Sequence, residues 1–199
     1  MNTMSVSDAG TPSPPADQPR RRPAGRFARP TAYGLVLGLL ALLAWGLVQA
    51  DSGPRGSGAA PDFTLTGFDG RTVALSALRG QVAVINFWAS WCPPCREEAA
   101  YLERTWRDYQ NRGVVFIGVD WSDTEKEALA YIDEFDITYL NGPDLGTRIA
   151  QDYRIQGVPE TFFVDKNGQL RGVHIGPLSP PELERRIEEL LAEPYGPAS

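Results

Sequence analysis

The sequence predicts an α/β fold, a mixed β-sheet covered by helices on both faces. Three observations carry this. Val82–Trp88 and Val114–Val119 are nearly continuous apolar runs of strand formers, as expected of strands buried on both faces. The segment between them, Pro94–Asn111, alternates at helical spacing. A strand pair about Asn167-Gly168 and a closing helix then follow, which adds antiparallel strands to a strand–helix–strand unit.

The elements follow in order. The stretch PDFTLTGFDGRTVAL from Pro61 reads as an N-terminal β-hairpin about the Asp69-Gly70 turn dipeptide. Arg112-Gly113 closes the first helix. Thr124–Phe135 reads as a second helix with Asp123 as its N-cap. A break at Tyr139–Pro143 precedes a short helix over Asp144–Tyr153. Thr161–Val164 and Leu170–Ile175 form the strand pair, and Pro180-Pro181 starts a last helix running to Ala192, with Pro at the tolerated first turn. The globular domain spans 61–193 and a tail spans 194–199, with no internal repeat.

The part before this domain has a different character. Residues 1–30 are rich in Pro, Ser, Ala and Arg without an apolar period and read as a disordered basic head. Ala32–Val48 is then free of charge for seventeen residues. A helix over it would be about 25 Å long, close to the span of a bilayer core once Thr31 and Gln49 are added. Residues 31–50 therefore read as one transmembrane helix. A cleaved signal ending at Ala50 stays open beside it, but the apolar stretch is longer than a usual signal core and favours an uncleaved anchor. In both cases the flanking arginines, Arg20, Arg21, Arg22, Arg26 and Arg29, stay cytoplasmic. Residues 51–60 form a flexible tether. The expected location is the cytoplasmic membrane, with a single pass and the domain on the extracytoplasmic side.

Composition excludes several classes. The net charge is −6 overall, while the first fifty residues are basic, so the domain is acidic and a poor partner for nucleic acid. Two cysteines and one histidine, His174, cannot build a disulfide framework, a four-cysteine zinc site or any site needing two histidines. His174 reads as an edge or core residue, and Trp121 and Tyr131 as packing residues.

The chemistry gathers in Trp91-Cys92-Pro93-Pro94-Cys95, where a buried strand passes into a helix. Two intervening residues place both sulfurs on the first helical turn, within bonding reach. The unpaired N–H groups of that turn, with about half a positive charge, favour a thiolate and lower the thiol pKa. The reaction that fits is thiol–disulfide exchange, with Cys92 as the exposed attacking thiolate and Cys95, one turn in, resolving the mixed disulfide. An inert bridge over so short a loop would stabilise little.

The segment NFWASWCPPC (Asn86–Cys95) resembles the active-site segment of the thioredoxin superfamily. DFTL near the domain start, FWASWCPPCREE, and GVPETFFVDKNGQL (Gly157–Leu170) narrow the resemblance to the membrane-anchored TlpA/ResA/DsbE group of extracytoplasmic thiol–disulfide oxidoreductases, over about residues 61–192. The resemblance implies a thioredoxin-like fold with a central insert over Asp120–Tyr153, taken as an added helix and a short strand. It implies a cis Val158–Pro159 bond facing the dithiol, with Trp91, Pro93, Val158, Pro159 and Glu160 contacting substrate and Glu160 shaping an acidic groove. It also implies that Glu98, one turn beyond Cys95, lies near the active site, raises the thiol pKa and carries its proton. Asn86 stands where cytoplasmic thioredoxins have a buried aspartate, so that residue's role does not carry over. Trp91 is expected to pack beside the dithiol and Trp88 in the core.

For the group, the implied activity is reduction of the haem-attachment CxxCH disulfide of apocytochrome c, fed by an integral-membrane thiol donor, by a monomer without cofactor or metal. Other extracytoplasmic clients, such as copper-site cysteines in oxidase assembly, are the alternative. A thiol peroxidase wants Thr three residues before its cysteine, where Ala89 stands. A copper carrier wants CxxxC and a distant histidine ligand.

Overall fold

The computed structural model describes residue 34, residues 36–45 and residues 56–196. The chain divides into two units, Met1–Asp51 and Ser52–Ser199. In the first, residues 36–45 are helical, with Leu37 and Leu42 exposed. The rest of the expected head and anchor, and most of the tether, lies outside the described residues. Among the described residues no helix is long and apolar enough to cross a membrane.

The second unit has a thioredoxin-like α/β fold. Its strands are β1 (Gly58–Ala59), β2 (Thr64–Thr66), β3 (Thr72–Ala74), β4 (Val82–Trp88), β5 (Val114–Asp120), β6 (Leu140–Pro143), β7 (Glu160–Val164) and β8 (Gln169–Ile175). Its α-helices are α1 (Pro93–Tyr109), α2 (Glu125–Glu134), α3 (Arg148–Tyr153) and α4 (Pro180–Ala192). Six strands form one mixed sheet in the order β1-β8-β7-β4-β5-β6, while β2 and β3 form the expected hairpin. β4, β5 and β6 run parallel, and β7 and β8 add antiparallel.

Period-two alternation sends alternate side chains of β4 to opposite faces. Val82, Val84 and Trp88 join Ala99 and Leu102 of α1 and Leu183 and Ile187 of α4 in one core. Ala83, Ile85 and Phe87 join Ile117, Val119, Phe162 and Tyr153 in the other. All seven residues of β4 are buried, which is why the run lacks the polar alternation of a one-sided strand. Trp88 is in the core as expected, stacked on Tyr131 with ring centroids 4.3 Å apart.

Four details differ from the sequence reading. Leu140–Pro143, read locally as a break, is strand β6, paired parallel with Ile117–Asp120, and is the short strand expected within the insert. Its composition, Leu-Asn-Gly-Pro, carries no strand signal, and its pairing comes from the β5 edge beside it. The short helix begins not at Asp144 but at Arg148, after a 3-10 turn, and the Asp144 carboxylate accepts from Ile149 N and Ala150 N at 3.0 and 2.7 Å. The tether ends in β1, whose Gly58 and Ala59 pair with Leu170 and Gln169, and the tail is tied by Gly196 N to Asn167 Oδ1 at 3.0 Å. Finally, α2 is capped by Thr124 in a reciprocal pairing with Glu127, not by Asp123.

One cross-strand row runs Thr161, Asn86, Gly118, Asn141. A Cβ on Gly118 would lie 1.7 Å from Asn141 Oδ1 and 2.9 Å from Trp88 Nε1. Gly118 is thus the gap over which both side chains sit. Gly118→Ala is expected to lower stability by about 1–3 kcal/mol through overpacking, read as a fall in urea midpoint at constant m-value. An unchanged midpoint would mean that the Asn141 amide swings aside without cost.

Candidate active site

Strand β4 ends at Trp88, and the chain turns through Ala89 and Ser90 into α1. Cys92 is the N-cap of that helix, in an extended conformation, with Pro93 and Pro94 in its first turn. Cys92 N donates to Ala89 O at 3.2 Å, and the Cys92 sulfur accepts from Cys95 N at 3.1 Å. A sulfur therefore occupies the place where an oxygen side chain ordinarily satisfies a first-turn N–H. Cys92 and Cys95 are joined in a disulfide, with Cα atoms 5.3 Å apart.

Cys92 is expected to be exposed in the reduced form; in the disulfide form it is 2% exposed, and Cys95 is fully buried. Capping turns the Cys92 sulfur inward, 3.5 Å from the Val158 carbonyl oxygen. The Val158–Pro159 bond is cis, and the Pro159 carbonyl accepts from Gly176 N at 2.9 Å, seating the loop beside the end of β8. Pro94, Gly157, Val158, Pro159, Ile175 and Pro177 line a cleft of about 250 Å³ beside the helix tip. A larger cavity of about 470 Å³, bounded by Thr64, Thr66, Asp144 and Arg148 among others, includes none of the expected site residues.

Trp91 is 58% exposed, with its ring 6.4 Å from that of the half-buried Trp121. The residues on either side explain this: Ser90 is held from α2's side of the sheet, Cys92 turns in as the cap, and the indole between them is left outside. Pro93 is exposed and Val158 half-buried; Trp91 and Pro93 adjoin Cys92 in the chain, and the Val158 carbonyl faces its sulfur.

Glu98 is fully buried on α1. Its carboxylate accepts from Asn86 Nδ2 at 2.8 Å and from Leu178 N at 3.0 Å, while Asn86 Nδ2 also donates to Thr161 Oγ1 at 3.0 Å. Burial pushes the Glu98 carboxyl up to about 7, against the pull of the Leu178 N–H and the Asn86 amide. Asn86 thus serves as donor to a carboxyl that reaches the same interior from the helix. The backbone N–H of Leu178 had no sequence signal, because nothing in a side-chain pattern tells where a main-chain donor will point.

Glu160 is 2% exposed and lies in the wall of the cleft beside Pro159. Its Oε1 accepts from Gln156 N and Gly157 N at 2.6 and 3.2 Å, which makes it a brace for the loop that carries Pro159. His174 is half-buried at Pro177 O, 3.3 Å away. Tyr131, besides its packing, donates to the Cys95 carbonyl at 2.9 Å. Among the described residues, no group of three or more His, Cys, Asp and Glu is placed to hold a metal.

The chain is similar to known proteins. Residues 57–173 match the AhpC/TSA family. A thiol:disulfide interchange protein DsbE from Allochromatium vinosum is 37% identical over 172 residues, covering 82% of this chain and 92% of that one. A thiol-disulfide oxidoreductase ResA from Bacillus cereus is 30% identical over 131 residues, covering 66% of this chain and 76% of that one. The crystal structure of a thiol:disulfide interchange protein of the thioredoxin family from Chlorobium tepidum superposes with a TM-score of 0.64 at 26% identity, over 71% of this chain and 99% of the other.

The raised Glu98 pKa has a signed consequence. The folded state holds this proton more tightly than the unfolded chain, so the stability it contributes is full below about 4.5 and is lost as pH rises through about 7. The loss amounts to roughly 3 kcal/mol at most. Asp120, raised by burial and by neighbouring Asp123, acts in the same direction. Urea unfolding of the oxidised protein between pH 4.5 and 8 should therefore show falling stability, and Glu98→Gln should flatten a share of that slope. An identical slope in the variant would show that Glu98 ionises normally.

Proposed function

This chain belongs to the AhpC/TSA family, as a thioredoxin-like thiol–disulfide oxidoreductase, and from that premise we propose that it is a membrane-tethered reductant acting outside the cytoplasm. The observation that carries the proposal is the Cys92–Cys95 bridge at the tip of α1, facing the cis-proline loop. A reductant reaches that bridged state by giving up two electrons.

The balanced exchange starts from the dithiol. The Cys92 thiolate, stabilised by the Cys95 N–H and the other free donors of the helix tip, attacks one sulfur of a client disulfide. A mixed disulfide forms, and the client's second sulfur leaves as thiolate and takes up a proton. Cys95 then attacks the Cys92 sulfur, the mixed bond breaks, and the client's first sulfur departs as a thiol. The Cys95 proton must leave before this second attack. Glu98, one turn along the same helix and poised near neutrality, is suited to receive it.

The client we propose is the CxxCH disulfide of apocytochrome c, whose haem attachment requires free thiols, with an integral-membrane thiol protein resupplying electrons. The relatives named DsbE and ResA, a thiol:disulfide interchange protein and a thiol-disulfide oxidoreductase, are consistent with this client. An oxidising compartment makes such a reductant necessary, since haem-site cysteines close spontaneously there. The address rests on five arginines ahead of the uncharged stretch Ala32–Val48, by the positive-inside rule. Peroxidase chemistry is disfavoured because Ala89, three residues before Cys92, is fully buried and offers no hydroxyl.

Purified reduced protein should reduce the disulfide of a CxxCH peptide, and Cys92→Ser should abolish turnover. Cys95→Ser should accumulate the mixed disulfide, visible by mass. Titration against glutathione should give a potential at the reducing end of the roughly −270 to −120 mV range of this chemistry. A potential at the oxidising end would recast the protein as a disulfide donor, and full activity of Cys92→Ser would remove that sulfur from the attacking role.

A further inference from the structure

Between the end of β4 and the cap of α1, only Ala89, Ser90 and Trp91 determine where the Cys92 sulfur is presented. Ser90 is gripped by a residue from the distant loop between β5 and α2. Asp123 Oδ2 accepts from Ser90 N at 2.5 Å and Oδ1 accepts from Ser90 Oγ at 2.9 Å. The Ser90 carbonyl accepts from Arg96 Nη1 at 3.5 Å, and Arg96 is itself ion-paired with Glu134 of α2. All three polar groups of Ser90 are thereby committed, two of them to one carboxylate. Trp91, the next residue, projects into solvent.

Asp123 is well placed to act as a fixed anchor. Its own N–H donates to Asp120 Oδ1 at 3.2 Å, and Trp121 N donates to Trp88 O at 3.0 Å, fastening the loop to the ends of β5 and β4. The next residue, Thr124, starts the capping pair of α2. Asp120 is 2% exposed at the end of β5, directly across from Trp88. The charged and titratable groups around the grip are Asp120, Arg96, Glu134 and Tyr131. Asp123 was read from the sequence as a helix cap, a role that Thr124 fills instead, which leaves its carboxylate free for Ser90.

We propose that Asp123 is a positioning residue for thiol–disulfide exchange: by holding Ser90 at both its N–H and its hydroxyl, it sets the direction from which Cys92 presents its sulfur at the tip of α1. The proposal rests on the redox reading above. It also assigns work to the insert, which reaches the redox segment through Asp123, through Tyr131 on the Cys95 carbonyl and through Glu134 on Arg96. A carboxylate acting only by charge would disfavour a nearby thiolate. A carboxylate acting by grip favours it, because a loosened segment withdraws the sulfur from the helix N–H groups. The two roles therefore have opposite signs.

The test compares Asp123→Ala, Asp123→Asn and Ser90→Ala with the wild type, as reduced full-length protein. The readouts are the rate of Cys92 alkylation by iodoacetamide across pH and turnover of a CxxCH peptide disulfide. Asn can still accept from Ser90 N–H and donate to the serine oxygen, so it keeps the grip without the charge. Asp123→Ala should slow alkylation at neutral pH about tenfold and move its midpoint upward, since misplacing a reacting atom carries penalties of that order or more. Asp123→Asn should recover to within about threefold of wild type, and Ser90→Ala, which loses one of the two bonds, should fall between. Wild-type rate and midpoint in Asp123→Ala would overturn the proposal. So would Asp123→Ala and Asp123→Asn both alkylating faster than wild type with a lowered midpoint, because relief of a charge would then be the effect. So, too, would Asp123→Asn being as slow as the alanine variant, because the hydrogen bonds it retains would then not be what presents the sulfur. Should Asp123→Ala fail to fold, Ser90→Ala decides alone, and a wild-type rate there overturns the proposal. Wild-type protein that reduces no peptide disulfide would sink the functional reading, while the alkylation comparison would still judge Asp123.

Discussion

A helix that begins at a sulfur atom is the constraint from which the rest of this structure follows. The first turn of α1 leaves main-chain N–H groups without helical partners, and at Cys95 that need is met by the Cys92 sulfur at 3.1 Å. The same sulfur then has to be delivered by β4, covered by the Val158 loop and kept within bonding reach of Cys95. Burying β4 on both faces makes the delivering strand rigid, and two prolines in the first turn cost nothing where N–H groups lack helical acceptors. The site is therefore less an addition to the fold than the junction on which its central strand and longest helix meet.

The interior behind the dithiol is polar in an ordered way. Thr161, Asn86 and Glu98 form a chain of hydrogen bonds that crosses from β7 through β4 to α1, and the Leu178 N–H closes it. Two donors converge on a carboxyl that burial would keep neutral, and the balance lies near neutral pH. Such a group holds or yields a proton within the range where the protein works, which an exposed glutamate ionised below pH 5 does not. Glu160 and Asp123 are acidic residues of another kind. Both use their oxygens on main-chain N–H groups of the loops flanking the disulfide, so acidic side chains brace the site from either side.

Legibility from sequence varied with how local the cause was. The bounds of β4 and the chemistry of Trp91–Cys95 could be read directly, because a run of buried strand formers and a two-residue cysteine spacing act within a few residues. Pro159 and Glu98 were legible through resemblance to related sequences. β6 was legible only as an unplaced short strand of the insert, since Leu-Asn-Gly-Pro becomes a strand only against the edge of β5. Glu160 was expected at a groove and lines the cleft, but its hold on Gln156 N, four residues back, was not legible. The exposure of the Trp91 ring was not legible either, because its neighbour Ser90 is held by Asp123, thirty-three residues further along the chain.

By itself, the sequence determined which atoms react and which strand and helix carry them: periodicity, apolar runs and cysteine spacing are short-range properties that a single chain displays openly. Tertiary structure alone decided what surrounds those atoms. Whether Glu98 is buried, which N–H groups it receives, where the Asp123 carboxylate goes and how far Cys92 is covered depend on strands and loops brought together from 30 to 80 residues apart. Burial and long-range hydrogen bonding shift protonation and orientation, and neither is expressed by the residues that feel them.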